Sequence, residues 1–301
     1  LRPLPVTVIG GYLGAGKTTL VNHLLRHAGR RIAVAVNDFG ALPIDRDLIL
    51  GADGDVLTLA GGCVCCSIGA DFLGGLSGLA LRENLDCVVV EASGVALPDS
   101  IARTVALVAG LKHEATLVVV DCETVRAQSD DRYVGDTILR QLADADLVVA
   151  NKIDLVAASG RDILRTWLTT KAPRAEIVFA ERGQVAPEIA LGGRARSPFA
   201  CDEPAPAHDL SAVESVSLEI AGRVDVAALA RALSEASLGL VRAKGFAQDV
   251  SGAWKTIQIV GRRYAIADAA SRAGTGRIVC IAHGRKIDRE RIAAAVAATA
   301  L

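Results

Sequence analysis

The sequence predicts an α/β protein: a doubly wound, mainly parallel sheet, followed by a smaller α+β domain. Three observations carry this expectation. Short apolar runs, many of them Val-rich, alternate with helix-like segments from residue 5 to about residue 180. A glycine-rich loop, GYLGAGKT (11–18), lies between the first such run and the first helical stretch. A Gly/Pro-rich, charged stretch over 181–212 then separates this region from a last segment with strand and helix periods of its own.

The apolar runs are, in order, PVTVIG (5–10), RIAVAVND (31–38), DVLTLA (55–60), DCVVVEAS (86–93), ATLVVVD (115–121), DLVVANK (146–152) and EIVFA (176–180). Unbroken β-branched runs suit parallel strands covered on both faces. Between them lie helical stretches such as KTTLVNHLLRHAG (17–29), closed by Gly29. Beyond the interruption, VESVSLEI (213–220) alternates as a strand. DVAALARALSEA (225–236) places Val226, Leu229, Ala230 and Leu233 at helical spacing. Three strand-like runs follow at 239–248, 253–261 and 276–284, and DRERIAAAVAATAL (288–301) reads as a terminal helix. The expected organisation is a nucleotide-binding domain over 1–198, a linker over 199–212 and an α+β domain over 213–301.

The totals exclude some classes. The chain has 301 residues, enough for about two domains of ~150. Its formal net charge is −1, and it contains no long basic run, which argues against nucleic-acid or anionic-membrane partners held by bulk electrostatics. No apolar stretch approaches the ~20 residues of a membrane span. LRPLPVTVIGG reads as a first strand rather than a secretory leader. The expectation is a cytoplasmic protein with reduced thiols.

GYLGAGKT fits the phosphate-loop pattern G-x-x-x-x-G-K-[ST] in the required strand–loop–helix setting. Gly11, Gly14, Ala15 and Gly16 let successive N–H groups turn inward on phosphate oxygens. The helix N-terminus adds its positive dipole end. Lys17 is expected on the β- and γ-phosphates, the Thr18 hydroxyl on magnesium, and Thr19 in the same cradle. A plain strand–helix turn has no need of Lys-Thr after its last glycine. Glu91, closing the strand of VVVEASG, stands where a second carboxylate for magnesium or for the attacking water belongs, and Gly94 where a backbone N–H follows the γ-phosphate. The alternative for Glu91 is a capping carboxylate at a strand end.

NKID (151–154) follows another apolar strand and matches the guanine-selective pattern N-K-x-D. Asp154 can accept from guanine N1–H and the exocyclic amine. Adenine would leave that carboxylate unpaired, which is how such sites discriminate. Lys152 can lie over the base, and Asn151 can tie this loop to the phosphate loop. The nucleotide expected is GTP with magnesium.

GGCVCC (61–66) concentrates Cys63, Cys65 and Cys66 on a glycine-led turn. A buried cluster and a redox pair, Cys63 with Cys66, are the competing readings. Neither suits three thiols after Gly-Gly as well as a soft or borderline transition metal does, zinc foremost. Asp38, His113 and the loop 201–209 offer further donors. Cys87 and Cys280, inside strands, read as buried packing residues, as does Cys122.

Taken together, GGYLGAGKTTL, NDFG…ID, GGCVCCS, EASG, QLADADLVVANKIDL and LVRAKGF resemble the CobW family of P-loop GTPases, in the wider CobW/UreG/HypB group of metal chaperones. The resemblance runs from about residue 5 to 295. It implies a GTP-hydrolysing chaperone or insertase whose C-x-C-C thiols hold zinc or cobalt, with GTP state controlling transfer to a client metalloprotein. The C-terminal part resembles the domain that family uses for client contact. Two departures stand out: Asp38 occupies a position where the family commonly has Glu, and the His-rich stretch between domains is absent. A metal-responsive GTP-binding interaction protein with little turnover, and a P-loop small-molecule kinase, remain alternatives at this point. The metal, the client, the fourth ligand and the oligomeric state stay open.

Overall fold

The computed structural model describes residues 3–37, 56–58, 70–192, 213–271 and 274–300. They form two compact units, Leu1–Leu191 and Gly192–Leu301.

The first unit is built on a seven-stranded sheet in the order β3-β2-β4-β1-β5-β6-β7. Its strands are β1 (Leu4–Gly10), β2 (Ile32–Asn37), β3 (Val56–Thr58), β4 (Cys87–Ala92), β5 (Leu111–Asp121), β6 (Leu147–Asn151) and β7 (Glu176–Phe179). Every pairing is parallel. The helices are α1 (Lys17–His27), α2 (Ala70–Ala80), α3 (Pro98–Leu107), α4 (Val125–Ser129), α5 (Gly135–Asp144), α6 (Ala158–Lys171) and α7 (Pro187–Leu191).

Right-handed crossovers sort these helices by direction of travel. The chain leaves β1 toward β2 through α1. It returns through α2 and α3, and continues the same way through α5 and α6. One face therefore carries α2 and α3 against Val6, Val8, Val88 and Val90. The same face carries α5 and α6 against Val118, Val120, Val148 and Ala150. The opposite face takes α1 against β4 and α7 against β5. Leu20 and Leu24 of α1 and Leu76 and Leu79 of α2 are among the fully buried side chains. Each such Leu contributes roughly 1.5–3 kcal/mol relative to exposure.

The reversal of direction occurs at β1, between β4 and β5. In open α/β sheets this is where strand ends leave a crevice. Strand alternation then decides which residues face α1. With Val88, Val90, Val118, Val120, Val148 and Ala150 committed to the other face, Glu91, Asp121 and Asn151 all fall on the α1 side at the carboxyl edge.

The second unit is a five-stranded antiparallel sheet in the order β11-β10-β9-β12-β8. Its strands are β8 (Val213–Ile220), β9 (Leu240–Gln248), β10 (Trp254–Val260), β11 (Arg263–Asp268) and β12 (Gly276–His283). Helices α8 (Val226–Leu233) and α9 (Arg289–Ala297) cover one face. Val226, Leu229, Ala230 and Leu233 are buried as their spacing predicts. Asp225 caps α8 by accepting from Ala227 and Ala228 N–H, each at 3.0 Å. Asp288 caps α9 by accepting from Arg291 N–H at 3.0 Å.

Four details differ from the sequence reading. β5 begins at Leu111, before the predicted 115, and pairs with β1 across a register shift at Glu114. β11 is an additional edge strand; RYAIAD is mostly exposed, and its short apolar stretch over 264–267 is flanked by Arg263 and Asp268. The terminal helix ends at Ala297, because the chain beyond it turns to pair Ala300 with Val224. The Gly/Pro-rich stretch over 181–212, by composition mostly linker or exposed loop, is packed near its start: Val185, Ile189, Ala190 and Leu191 are buried in the first unit. Nearby glycines and charges mask this short apolar patch in the sequence.

Candidate functional site

The site is assembled from the carboxyl ends of β1, β4, β5 and β6. The loop after β1 is glycine-rich for steric reasons. Gly11 has φ +130°, and a Cβ there would lie 2.1 Å from the Val119 carbonyl oxygen. Gly16 has φ +101°, and a Cβ there would meet Asn151 Nδ2 at 2.3 Å. Gly14 also has positive φ, at 75°. Ala15 is buried and Thr19 exposed.

The α1 N-terminus has no side-chain cap. Leu20 N–H is bonded back to Gly16 O at 3.0 Å, so the preceding N–H groups point into the loop. That is an anion site by construction. Lys17 is buried, with Nζ donating to the Tyr12 carbonyl at 3.3 Å inside the loop. Thr18 Oγ1 donates to Glu91 Oε1 at 2.8 Å, and Glu91 is 1% exposed. A hydroxyl and a carboxylate side by side at a phosphate cradle are a hard-oxygen donor set, which fits magnesium.

Gly94 belongs to the turn after β4. A Cβ on it would meet the Leu13 side chain at 2.5 Å and Leu13 N at 2.9 Å, so this turn lies directly on the phosphate loop. Its carbonyl accepts from Gln141 Nε2 at 3.1 Å, and the Ala96 carbonyl accepts from the same nitrogen at 2.8 Å.

Asn151 joins three loops. Its Nδ2 donates to Ala15 O at 2.9 Å, and its Oδ1 accepts from Gly183 N–H at 2.8 Å. Lys152 has φ +60° and donates to Asp121 Oδ2 at 2.7 Å. Asp154 lies exposed in a 3₁₀ turn over Ile153–Leu155. Its carboxylate is accessible to a ligand, while Asn151 and Lys152 are held from below.

Sequence reasoning missed three participants. Asp121 ends β5 beside Asn151 and orients Lys152. Its signal was a carboxylate closing a strand at the edge already occupied by Glu91 and Asn151. Gln141 is buried at 1% exposure, on the face of α5 that also buries Ile138 and Leu142. An amide at a core position of an amphipathic helix was the readable clue. Gly183 has φ +68°, and a Cβ there would meet Leu20 N at 2.8 Å. It lay inside the expected domain over 1–198, in the Gly/Pro-rich stretch that begins at 181 and masks it.

Other candidates stand elsewhere. His113 lies opposite Val6, roughly 13 Å back along β1 from Gly10, and its Nε2 is 3.0 Å from Thr116 Oγ1. It is not at the phosphate edge. Burial pushes the Cys87 thiol up to about 11, and those of Cys122 and Cys280 to about 12. These three thiols stay protonated and serve as packing. Cys63, Cys65 and Cys66, with Asp38 and 201–209, lie outside the described residues. Among the described residues no group of three or more His, Cys, Asp or Glu side chains converges as a metal site. Among them, too, no helix is long and apolar enough to cross a membrane.

Comparison with known proteins agrees with this layout. The CobW/HypB/UreG nucleotide-binding domain matches residues 5–179, and the cobalamin synthesis protein CobW C-terminal domain matches residues 213–300. A Sinorhizobium protein called zinc chaperone CobW is 33% identical over 86% of this chain and 86% of its own length. A Pseudomonas aeruginosa protein of the same name is 36% identical over 69% of this chain and 65% of its own length. The zinc-regulated GTPase metalloprotein activator 1 of Schizosaccharomyces pombe is 29% identical over 62% of this chain, which spans 47% of that protein.

Proposed function

This chain belongs to the CobW/HypB/UreG family, and on that premise we propose that it is a GTP-hydrolysing metal chaperone. Its cargo is a transition metal, zinc in the first instance and cobalt as the alternative, taken by Cys63, Cys65 and Cys66. The observation that carries the nucleotide half is the pairing of Thr18 with Glu91 at 2.8 Å over an uncapped helix N-terminus. The metal half is supported by the thiol spacing and by relatives called zinc chaperones.

The residues divide the work as follows. Gly11, Gly14, Ala15 and Gly16 present backbone N–H groups to the phosphates, and Lys17 supplies positive charge to the γ-phosphate. Thr18 and Glu91 are the groups that would hold magnesium, which when bound neutralises developing charge on the phosphate oxygens. Gly94 offers its N–H beside the γ-phosphate, on a turn that Gln141 fixes from α5. Asp154 selects guanine, Lys152 lies against the base, and Asn151 keeps the base loop and phosphate loop in register. Nucleotide state would then alter metal affinity at Cys63, Cys65 and Cys66. Couplings of this kind are worth ~1–3 kcal/mol, about 5- to 150-fold in affinity. The client is a metalloprotein that accepts the metal when hydrolysis lowers the chaperone's hold on it.

The test is metal analysis of protein purified without oxygen, beside Cys65→Ser, with metal affinity measured under a GTP analogue and under GDP. Loss of bound metal in the variant and unequal affinities in the wild type are expected. Unchanged metal content in Cys65→Ser would remove the thiol assignment, and equal affinities would remove the coupling.

A further inference from the structure

We propose that the Arg182 side chain reads the O6/N7 edge of the guanine base, an inference that rests on the reading of this site as a GTP site and adds a specificity-determining residue to it. The backbone is the starting point. The chain leaves β7 through a tight turn, closed by Gln184 N–H donating to Glu181 O at 2.8 Å. Its two central residues are Arg182, at φ +48°, and Gly183, at φ +68°. Positive φ at both centres belongs to the type I′ turn, which favours Asn, Asp or Gly there. Left-handed backbone crowds the Cβ of any bulkier residue. Arg182 therefore holds its place against local preference, and strain of this kind collects at ligand sites.

The turn stands beside the path of the nucleoside. Ala180 N–H donates to Ala150 O at 2.9 Å, and Ile153 N–H donates to Ala180 O at 3.2 Å. Gly183 N–H donates to Asn151 Oδ1 at 2.8 Å. On its other side Gly183 lies so close to α1 that a Cβ would meet Leu20 N at 2.8 Å and the Thr19 carbonyl carbon at 3.1 Å. The turn is thus wedged between the base loop, 151–154, and the first turn of the phosphate helix. A nucleoside running from that helix to Asp154 passes alongside it. Gly183 is buried against α1, whereas Arg182, one Cα step of about 3.8 Å away, is exposed.

Guanine needs what this side chain offers. With N1–H and the exocyclic amine given to Asp154, the next polar edge of the base is O6 and N7, both acceptors. The neighbouring donors are engaged. The Asn151 amide bonds Ala15 O and Gly183 N–H, Lys152 bonds Asp121, and Arg161 bonds Ile153 O and Val156 O. Among the described residues the Arg182 side chain makes no hydrogen bond or ion pair. A guanidinium presents parallel N–H groups, the fork that meets O6 and N7 together. Adenine carries an amine where guanine carries O6, so it opposes that fork as it opposes Asp154. Arg182 and Asp154 then read adjacent edges of one base.

The experiment uses the full chain and Arg182→Gly, because glycine suits the turn and removes only the side chain. Calorimetry measures binding of GDP, of ADP and of 7-deaza-GDP, which lacks the N7 acceptor; circular dichroism follows melting. Wild type is expected to prefer GDP to both. Arg182→Gly should lose about 10- to 100-fold in GDP affinity and most of its discrimination against 7-deaza-GDP, while melting no lower than wild type. GDP affinity unchanged in the variant, or discrimination against 7-deaza-GDP undiminished, overturns the role of Arg182 and leaves the guanine site standing. A melting temperature that falls together with affinity assigns Arg182 to holding the turn and overturns base contact. Wild type that binds ADP as well as GDP overturns the guanine reading and this inference with it.

Discussion

The two sheets of this protein, of seven and five strands, differ in what they can do. In the parallel sheet every strand ends at the same edge, so Gly10, Glu91, Asp121 and Asn151 arrive side by side. Their bonds are long-range: Thr18 to Glu91, Asn151 to Ala15 and Gly183, Gln141 to Gly94 and Ala96. In the antiparallel sheet alternate strands end at opposite edges. Several of its polar residues close their own turns, as Asp225 and Asp288 cap helices and Asp249 accepts from Ser251 and Ala253 N–H, while Glu214 accepts from Ile287 N–H and Arg291 reaches Ser237 within the same unit. Parallel topology gathers functional groups at one edge; the antiparallel topology distributes strand ends over two edges and its polar bonds hold the unit together. The comparison predicts that single substitutions behind the carboxyl edge of the first sheet weaken nucleotide binding and that those in the second unit do not.

The sharpest break is Lys17→Ala. It removes a cation from the phosphates, where charge-assisted bonds are worth ~1.5–3 kcal/mol each. GTP-analogue affinity should fall about 100-fold or more, with hydrolysis lost and the second unit's melting unchanged. Calorimetry and a phosphate-release assay check it; wild-type affinity in the variant would remove Lys17 from the site. Next comes Asp154→Asn. It exchanges an acceptor for a donor at the exposed end of the base loop. Preference should move from guanine toward xanthine nucleotides by on the order of 10- to 100-fold. Competition between GTP and XTP reads this directly, and unchanged GTP use would discredit base recognition by this loop.

A matched pair sets the sheets against each other. Gln141→Leu leaves the buried Gly94 and Ala96 carbonyls without that donor, costing ~1–3 kcal/mol. It should also weaken GTP-analogue binding, since the Gly94 turn lies on Leu13 of the phosphate loop. Asp225→Ala removes a helix cap for ~0.5–2 kcal/mol and should leave nucleotide affinity untouched. Equal nucleotide effects from both variants would erase the distinction drawn between the sheets.

The same contrast explains what could be read from the sequence. β1, β2, β4 and β6 were legible because strands buried on both faces need unbroken Val-rich runs. The phosphate loop was legible because close backbone approach leaves glycine as the residue that fits at Gly11 and Gly16. β11 was not, since on a mostly exposed edge its apolar stretch, 264–267, is short and bounded by charges. Gln141 and Asp121 were not, because their partners are supplied by strands and turns distant in sequence. Gly183 was hidden by composition: a polar Gly-Arg stretch reads as a loop, whether it hangs in solvent or lies 2.8 Å from Leu20 N as a Cβ would.

The smallest effect comes from Asp144, at the end of α5 beside the first turn of α3. Partial burial raises its pKa first, and the Asp99 carboxylate adds to this; Arg174, the Asp99 backbone N–H and Arg103 oppose. A carboxyl with a folded pKa above its unfolded value keeps a proton that the unfolded chain has already lost. Across the window from the ordinary Asp value of 3.8 up to the raised one, the native state binds more protons, so stability falls as pH rises and levels off above it. Asp144→Asn removes this carboxylate and should flatten that part of the pH–stability curve. Because the side chain is half in water, screening holds the neutral-pH gain under about 0.5 kcal/mol. Urea melts from pH 4 to 7 on both proteins measure it. A slope that persists in the variant would place its origin in another carboxylate. A nucleotide affinity that shifts with it would mean that α5 transmits strain to the Gly94 turn through its far end as well as through Gln141.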